Sequence, residues 1–479
     1  MKGSIKLAET ISRKEHLAVI VQDIASAEVI LNDKISFERF AKLANAGEKL
    51  VSIQHGAYNR YIILASDKKT KSDTLEYYRT KGHDLLKLVN KEQIQALELT
   101  STSAQDDELL AMAEGMLLAN YTFHKYKKEP KKNSFKTVHL VSKTIDKASV
   151  KALLTVVSSV YLVRDLVNEP VVYLTATQFS AEMKSLGEEA GFDVEVLEKA
   201  DIKRLKMGGL LAINAGAPNP PTFNILTYKP KQHQNKQPLV LVGKGVVYDT
   251  GGLSLKETAN SMDIMKCDMA GGAAVLGAIY AIAKNKLPFY VVGLIPATEN
   301  RLDGNAITPG DVITMHSGTT VEILNTDAEG RVILADALSY AKQYKPTLVL
   351  DFATLTGAAI MALGKYGSVM LGTATEETKN TLKAAGNQVY ERLVELPLWD
   401  EYAKDIESDI ADLKNIGNGT AGATTAAKFL EHFTDYPWIH VDIAGPAYIK
   451  GDDSYRGKNA TGMGVRLIYQ FVQDFFAQQ

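Results

Sequence analysis

Four acids and three cations fall within a span of fewer than ninety residues: Asp249, Asp268, Asp327 and Glu329, with Lys244, Lys256 and Arg331. All sit where an apolar strand-like run gives way to a helix-like one. Taken singly, each has a bland explanation. Asp268, Asp327 and Glu329 could cap helix N-termini, where carboxylates accept orphan backbone N–H groups, and Arg331 could be their ion-pair partner. Taken together they cannot all be caps. Four carboxylates crowded into one cleft repel and are forced to protonate unless a cation neutralises them. Lysine and arginine can do part of this, but divalent metal is the more economical reading. Two metals roughly 3.5–4 Å apart, bridged by carboxylates, can hold and activate a water for hydrolysis.

Other readings of the same stretch are weaker. The loop VGKGVVYDTGGLSLK at 242–256 is glycine-rich and follows a strand, which suggests a phosphate cradle. Neither G-x-x-x-x-G-K-[ST] nor G-x-G-x-x-G can be laid over it. Cys267, beside Asp268, reads as a small packing residue whose side chain points away from the acids, as neighbours do in an extended segment. The nine histidines are scattered and contain no H-E-x-x-H pair. His440, in an apolar strand near Trp438, reads as a core residue. The glycine-rich stretch 417–427 reads as close backbone packing ahead of a helix.

The elements that must position these groups alternate. Leu239 to Val242 is a continuous apolar run closed by Gly243, as expected of a buried parallel strand. Val275, Ala278, Ile279 and Ile282 follow helical spacing, residues 289–295 form another strand, Leu334, Ala337, Leu338 and Ala341 another helix, and Thr347 to Leu350 a further strand. This pattern predicts an α/β fold with a mostly parallel sheet covered by helices, and a site beyond the carboxyl ends of its strands. Residues 1–150 hold only 5 of the 35 glycines and 1 of the 14 prolines, so tight loops concentrate after them. Strand-like 17–21 and helix-like 107–118 make that first part a smaller α/β domain without any chemical constellation. Residues 151–170, ending in RDLVNEP, read as a linker helix stopped by proline, and 171–479 as the catalytic domain.

Composition narrows the class further. Over 479 residues, 54 Lys and Arg against 56 Asp and Glu leave a formal charge of −2, which offers no general pull on nucleic acid or anionic membrane. The lysine-rich run 125–132 lacks an aromatic platform and reads as a solvated loop. A single cysteine excludes an intrachain disulfide and a cysteine-built metal site. The start MKGSIKLAET lacks a signal-peptide core, and apolar stretches such as 353–364 fall short of the roughly 20 residues that span a bilayer. The expectation is a cytoplasmic protein.

Three motifs in order, VGKGVVYDTGGLSLK at 242–256, MDIMKCDMAGGAA at 262–274 and NTDAEGR at 325–331, make the chain resemble the leucyl (cytosol) aminopeptidase family of dimetal metallopeptidases. The likeness runs from about RDLVNEP at 164–170, through Asn219-Pro220-Pro221, to WIHVDIAG at 438–445. The resemblance implies one metal held by Asp249, Asp327 and Glu329, and another by Lys244, Asp249, Asp268 and Glu329. The ions implied are Zn or Mn, with Co or Mg as alternatives. Lys244 could ligate only as the neutral amine. Lys256 is implied to stabilise the tetrahedral intermediate, and Arg331 to hold a bicarbonate that takes the proton of water. Met265, Thr354, Gly357 and Ala444 match positions lining the pocket for the first side chain; Leu355, Asn325 and Ala328 complete the implied substrate contacts. Asp268 would receive the free α-amine of a peptide. A homohexamer is implied, with no membrane or nucleic-acid partner. Between Lys256 and Asp268 this chain is one residue longer than the family pattern, and Glu257 stands where the family often has proline.

Two rivals differ in class. Another two-metal hydrolase, acting on phosphate esters, would need anion-binding groups in place of an amine-accepting acid. A scaffold that keeps the fold without activity would be favoured by loss of a metal acid or of Lys256, and none is lost.

Overall fold

The computed structural model describes residues 3–12 and 15–477. The chain forms two compact units: one comprises the chain up to Tyr161 together with Gly451–Lys458, the other Leu162–Lys450 and the stretch from Asn459 onward. The helix Lys147–Asn168 carries the chain from the first unit into the second.

The first unit holds strands β1 (Ser4–Ala8), β2 (Leu17–Val21), β3 (Leu50–His55), β4 (Tyr58–Leu64), β5 (Ala96–Ser101) and β6 (Thr137–Val141). They form one sheet in the order β1-β6-β5-β2-β4-β3, in which only the β3–β4 pair is antiparallel. β2 is buried at all five positions, as its unbroken LAVIV sequence demands. The helix Asp106–Ala119 opens with three acids against its N-terminal dipole, and Glu108 accepts the Gln105 N–H at 2.9 Å. The late segment 451–458 belongs to this unit: buried Tyr455 donates its hydroxyl to Glu76 Oε2 at 2.7 Å, and Arg456 Nη2 reaches Glu76 Oε1 at 2.6 Å.

The second unit holds β7 (Asp193–Leu197), β8 (Thr222–Tyr228), β9 (Leu239–Gly243), β10 (Gly245–Asp249), β11 (Val291–Asn300), β12 (Asp311–Thr314), β13 (Thr320–Ile323), β14 (Leu348–Ala353), β15 (Ser368–Gly372), β16 (Leu393–Glu395), β17 (Leu413–Lys414) and β18 (Trp438–Asp442). Its large sheet runs β16-β15-β18-β14-β9-β11-β8-β7, with β10 also pairing β11. The middle, β18-β14-β9-β11, is parallel, while β15–β18, β11–β8 and β8–β7 are antiparallel. The fold is therefore α/β with a mostly parallel, helix-covered sheet.

One helix lies at the heart of this unit. Ala270–Lys284 is apolar on nearly every side, and all its residues but Lys284 are buried. The stretch Met262–Lys284 is the one among the described residues long and apolar enough to cross a membrane, and 83% of its apolar window is buried inside the protein. Its N-terminus presses on the sheet: a Cβ on Gly271 would lie 2.0 Å from the Phe352 carbonyl oxygen. Only glycine permits that approach.

Candidate metal centre at the strand ends

The site residues sit at or past the carboxyl ends of strands or on the helices that follow; those at 325–331 follow β13, which pairs antiparallel with β12 and parallel with β17 in a smaller sheet. Lys244 fills the one-residue gap between β9 and β10, Asp249 ends β10, and Thr354 and Leu355 follow β14. Glu329 and Arg331 lie in the first turn of the helix Glu329–Ala341. This clustering beyond parallel strands follows from the fold, because there several loops converge.

Asp249, Asp268 and Glu329 each place one carboxylate oxygen within 4.8 Å of the others, and all three are buried. Lys244 Nζ lies 2.8 Å from Asp268 Oδ2 and 2.7 Å from Glu329 Oε1, and donates to the Thr354 carbonyl at 3.0 Å. Lys256 Nζ lies 2.9 Å from Asp249 Oδ2 and pairs closely with Asp327 Oδ1. The glycine at 330 makes room for this: a Cβ there would come within 2.6 Å of Lys244 Nζ. Gly251 and Gly252, at φ +84° and +63°, turn the loop that delivers Lys256. The loop after Lys256 is closed by its own backbone. The Met262 N–H bonds the Glu257 carbonyl, the Asp263 N–H bonds that of Thr258, and Asn260 takes φ +63°. Lys256 thus stays among the acids.

The electrostatics are frustrated. Burial, together with the neighbouring Glu329 charge, pushes Asp249 up to about 7, and burial likewise raises Asp268 and Asp327. Glu329 pays the same burial penalty, yet Lys244 and Lys256 bring it below the usual carboxylate range. Burial alone would lower both lysines, but the surrounding acids raise them. Four acids face two lysines: Asp268 Oδ2 and Glu329 Oε1 share the Lys244 ammonium, and Asp327 Oδ1 and Asp249 Oδ2 share that of Lys256, so negative charge is left in excess. A buried, oxygen-rich and net-negative cage of this kind fits divalent cations. Arg331 is buried too; its Nε and Nη1 have no hydrogen-bond partner in the structure, and burial lowers it to about 10. An anion fits against those donors.

Of the remaining expected residues, Thr354 donates its hydroxyl to Asp268 Oδ1 at 2.8 Å, and Asn325 accepts the Asp327 N–H at 2.8 Å. Ala328 is buried at the start of the Glu329 helix. Leu355 and Ala444 both donate their N–H groups to Asp442 at 3.1 Å. Gly357 is exposed at the first turn of the helix Gly357–Leu363, with open space where a Cβ would stand. Met265 is half-buried in the 3₁₀ helix Met262–Met269, and no bond ties its side chain to the acids.

That 3₁₀ helix corrects one expectation. The segment around Cys267 is not extended, so strand alternation cannot be what turns the thiol from the acids. Cys267 is buried outside the ligand trio, and burial pushes its thiol up to about 12, which leaves it protonated at neutral pH. Sequence reasoning also passed over Asn300. Its Nδ2 donates to Asp249 Oδ1 at 2.8 Å and to the Thr326 carbonyl at 3.0 Å, joining two ligand-bearing loops. An asparagine ending a strand carries no signal that would single it out.

A family model for the catalytic domain of the cytosol aminopeptidase family matches residues 161–469. A probable cytosol aminopeptidase of Chloroherpeton thalassium is 46% identical over 381 residues, covering 79% of this chain and 70% of that protein. One of Chlorobaculum parvum is 51% identical over 316 residues, covering 65% of this chain and 62% of the relative, less than two thirds of its length. Among solved structures, a mutant of tomato leucine aminopeptidase superposes with a TM-score of 0.87 at 28% identity, over 98% of this chain and 96% of the other. The bottromycin maturation enzyme BotP in complex with Mn gives 0.85 at 30%, over 96% and 99%. Fold and site thus define a hydrolase of the metallo-aminopeptidase class. The chain belongs to the cytosol aminopeptidase family.

Proposed function

We propose that the protein releases N-terminal amino acids from peptides with a free α-amine, preferring apolar first residues such as Leu or Met. The buried trio of Asp249, Asp268 and Glu329, with mutually adjacent oxygens, is the observation that carries this reading. In it Lys244, Asp249, Asp268, Asp327 and Glu329 hold two divalent ions, Zn²⁺ or Mn²⁺ with Co²⁺ or Mg²⁺ as alternatives. Once bound, the ions supply positive charge that polarises the scissile carbonyl and acidifies a water. The catalytic machinery is assigned wholly to the second unit.

The chain's own groups do the rest. Asp268 receives the substrate's ammonium group, which is what restricts cleavage to the chain end. Lys256 stays charged among its acids and donates to the oxygen on which charge develops, without reorganising. Arg331 presents a planar fork to bicarbonate, which serves as the base for the proton of water. Thr354, Leu355 and Ala444, with Met265, Gly357, Asn325 and Ala328, receive the first residue. That set has no acid or base, so a charged first side chain would be buried unpaired at high cost, whereas apolar ones differ by about 1–3 kcal/mol per methylene. The exposed apolar side chains Ile360, Met361 and Tyr366 suit a covered face, in keeping with a homohexamer, and the family's name suits a cytoplasmic protein.

Leu-p-nitroanilide, its acetylated form and nitrophenyl phosphate separate the readings. Cleavage of the first alone, abolished by chelation and restored by metal, is expected. Equal cleavage of the acetylated form would overturn Asp268 as the amine anchor, and cleavage of the phosphate ester would favour the rival hydrolase. Light scattering that gives a fully active monomer of 52.3 kDa would refute the hexamer.

A further inference from the structure

β18 lies between β14 and β15, and all five of its residues are buried. Such a strand is ordinarily an unbroken apolar run. Here Trp438, His440 and Asp442 share one face, and two of the three are polar. The Trp438 indole and His440 Nδ1 are accounted for across the ladder, while His440 Nε2 has no hydrogen-bond partner among the described residues. Asp351, the β14 partner of His440 in register, accepts the Trp438 indole N–H at 2.6 Å and meets His440 Nδ1 at 2.5 Å. Asp442 remains, at the carboxyl end.

Its carboxylate is fully occupied by two different loops. Oδ1 accepts the N–H of Leu355 and that of Ala444, each at 3.1 Å, and Oδ2 accepts the Thr356 hydroxyl at 2.7 Å. The Ala444 bond is the local turn that an aspartate makes with the residue two places on. The other two bonds are not local: they cross to the segment that leaves β14. On its opposite side that segment is held by the site itself, through Lys244 to the Thr354 carbonyl and through the Thr354 hydroxyl to Asp268. Residues 354–356 are therefore pinned in front by the acid cage and behind by one buried carboxylate.

We infer that Asp442 is a positioning residue, setting the spacing between the segments after β14 and β18 and thereby the fit of the substrate's first side chain. It lies outside the acid trio, and its charge acts on Arg331 at a distance. The inference rests on the aminopeptidase reading, in which Leu355 and Ala444 face that residue.

The test compares Asp442→Ala and Asp442→Asn with the parent. It reads kcat and KM on Leu- and Ala-p-nitroanilide, metal content by elemental analysis, and thermal midpoint. Asp442→Ala strands three donors, one buried and two half-buried; KM should rise roughly tenfold or more and the Leu-to-Ala preference should narrow. Metal content should hold, and kcat should change far less than KM. Asp442→Asn keeps one acceptor oxygen for the two N–H groups and should recover most of the loss. A folded, metal-loaded Asp442→Ala with parental KM and preference overturns the inference. So does a loss carried by kcat or by metal content alone. If Asp442→Ala does not fold, Thr356→Val removes one of the three bonds together with the cap on the Ala359 N–H, and Thr356→Asn, which can keep the cap, separates the two; KM and preference must move in Thr356→Val and return with Thr356→Ser, and an unmoved Thr356→Val overturns it as well. A parent that releases no leucine fails the aminopeptidase reading and this inference with it, whereas an active parent with unmoved variants fails this one alone.

Discussion

The two units share a plan, a mostly parallel sheet under helices, yet they treat buried charge in opposite ways. In the first, the buried acids Glu98 and Glu114 each have a donor, although Glu15 Oε2 has none among the described residues. Arg79 Nε meets Glu114 Oε2 at 2.6 Å between two helices, and Glu98 accepts the Ser12 N–H through both oxygens, at 2.8 and 3.0 Å. In the second, four acids share two lysines, and negative charge is left in excess. A balanced charge stabilises a fold; a buried excess of one sign calls for a ligand. Architecture alone does not tell the two apart, which is why fold by itself says little about function.

The contrast can be broken most decisively at Glu329. Glu329→Ala should leave a folded protein that binds little metal and has no measurable peptidase activity; retention of both would mean the cage is only structural. Lys256→Ala comes next. It should keep the metal content and lose roughly 10²–10³ in kcat, the worth of one preorganised oxyanion donor. Near-parental kcat would show that Lys256 only neutralises its acids. The first unit supplies the counterpart: Glu114→Ala removes the 2.6 Å partner of Arg79 but leaves Glu76 Oε2 3.8 Å away, and should cost less than the roughly 3–5 kcal/mol of a fully broken buried pair. Metal content should be unchanged, and metal loss in that variant would erase the distinction drawn here.

A smaller effect lies at Asp336, five residues beyond Arg331 on the same helix. Burial pushes it up to about 7, although it accepts the N–H groups of Leu210 and His316 at 2.9 and 2.8 Å. An acid whose pKa is higher folded than unfolded binds its proton more tightly in the native state. Its contribution is therefore most favourable below the unfolded pKa and is lost as pH rises to about 7. Denaturant melts at pH 4 and pH 7 should show the parent losing about 2–4 kcal/mol relative to Asp336→Asn. A difference that does not vary with pH would mean this carboxylate ionises freely.

Much of the site could be read from residue type and spacing. The acids and lysines stood out because charges at strand ends are costly and need a reason, and the alternation of apolar runs placed them beyond a parallel sheet. What escaped was whatever depended on pairing across the chain. Asn300 and Asp442 look ordinary in sequence; they matter because β11 ends beside β10, and because β18 lies next to β14. The 3₁₀ turn at Met262–Met269 was hidden for a similar reason, since its short span carries no periodic signal distinct from a strand.

The excursion of residues 451–458 has a consequence in time. Glu76 waits for Tyr455 and Arg456, which follow it by 379 and 380 residues. At a synthesis rate of 5–20 residues per second, they leave the ribosome roughly 20–75 s after their partner. Through that interval the nascent first unit must hold itself together with only the longer 3.8 Å pair from Arg79 on Glu76, so the earliest unit to emerge is among the last to be finished.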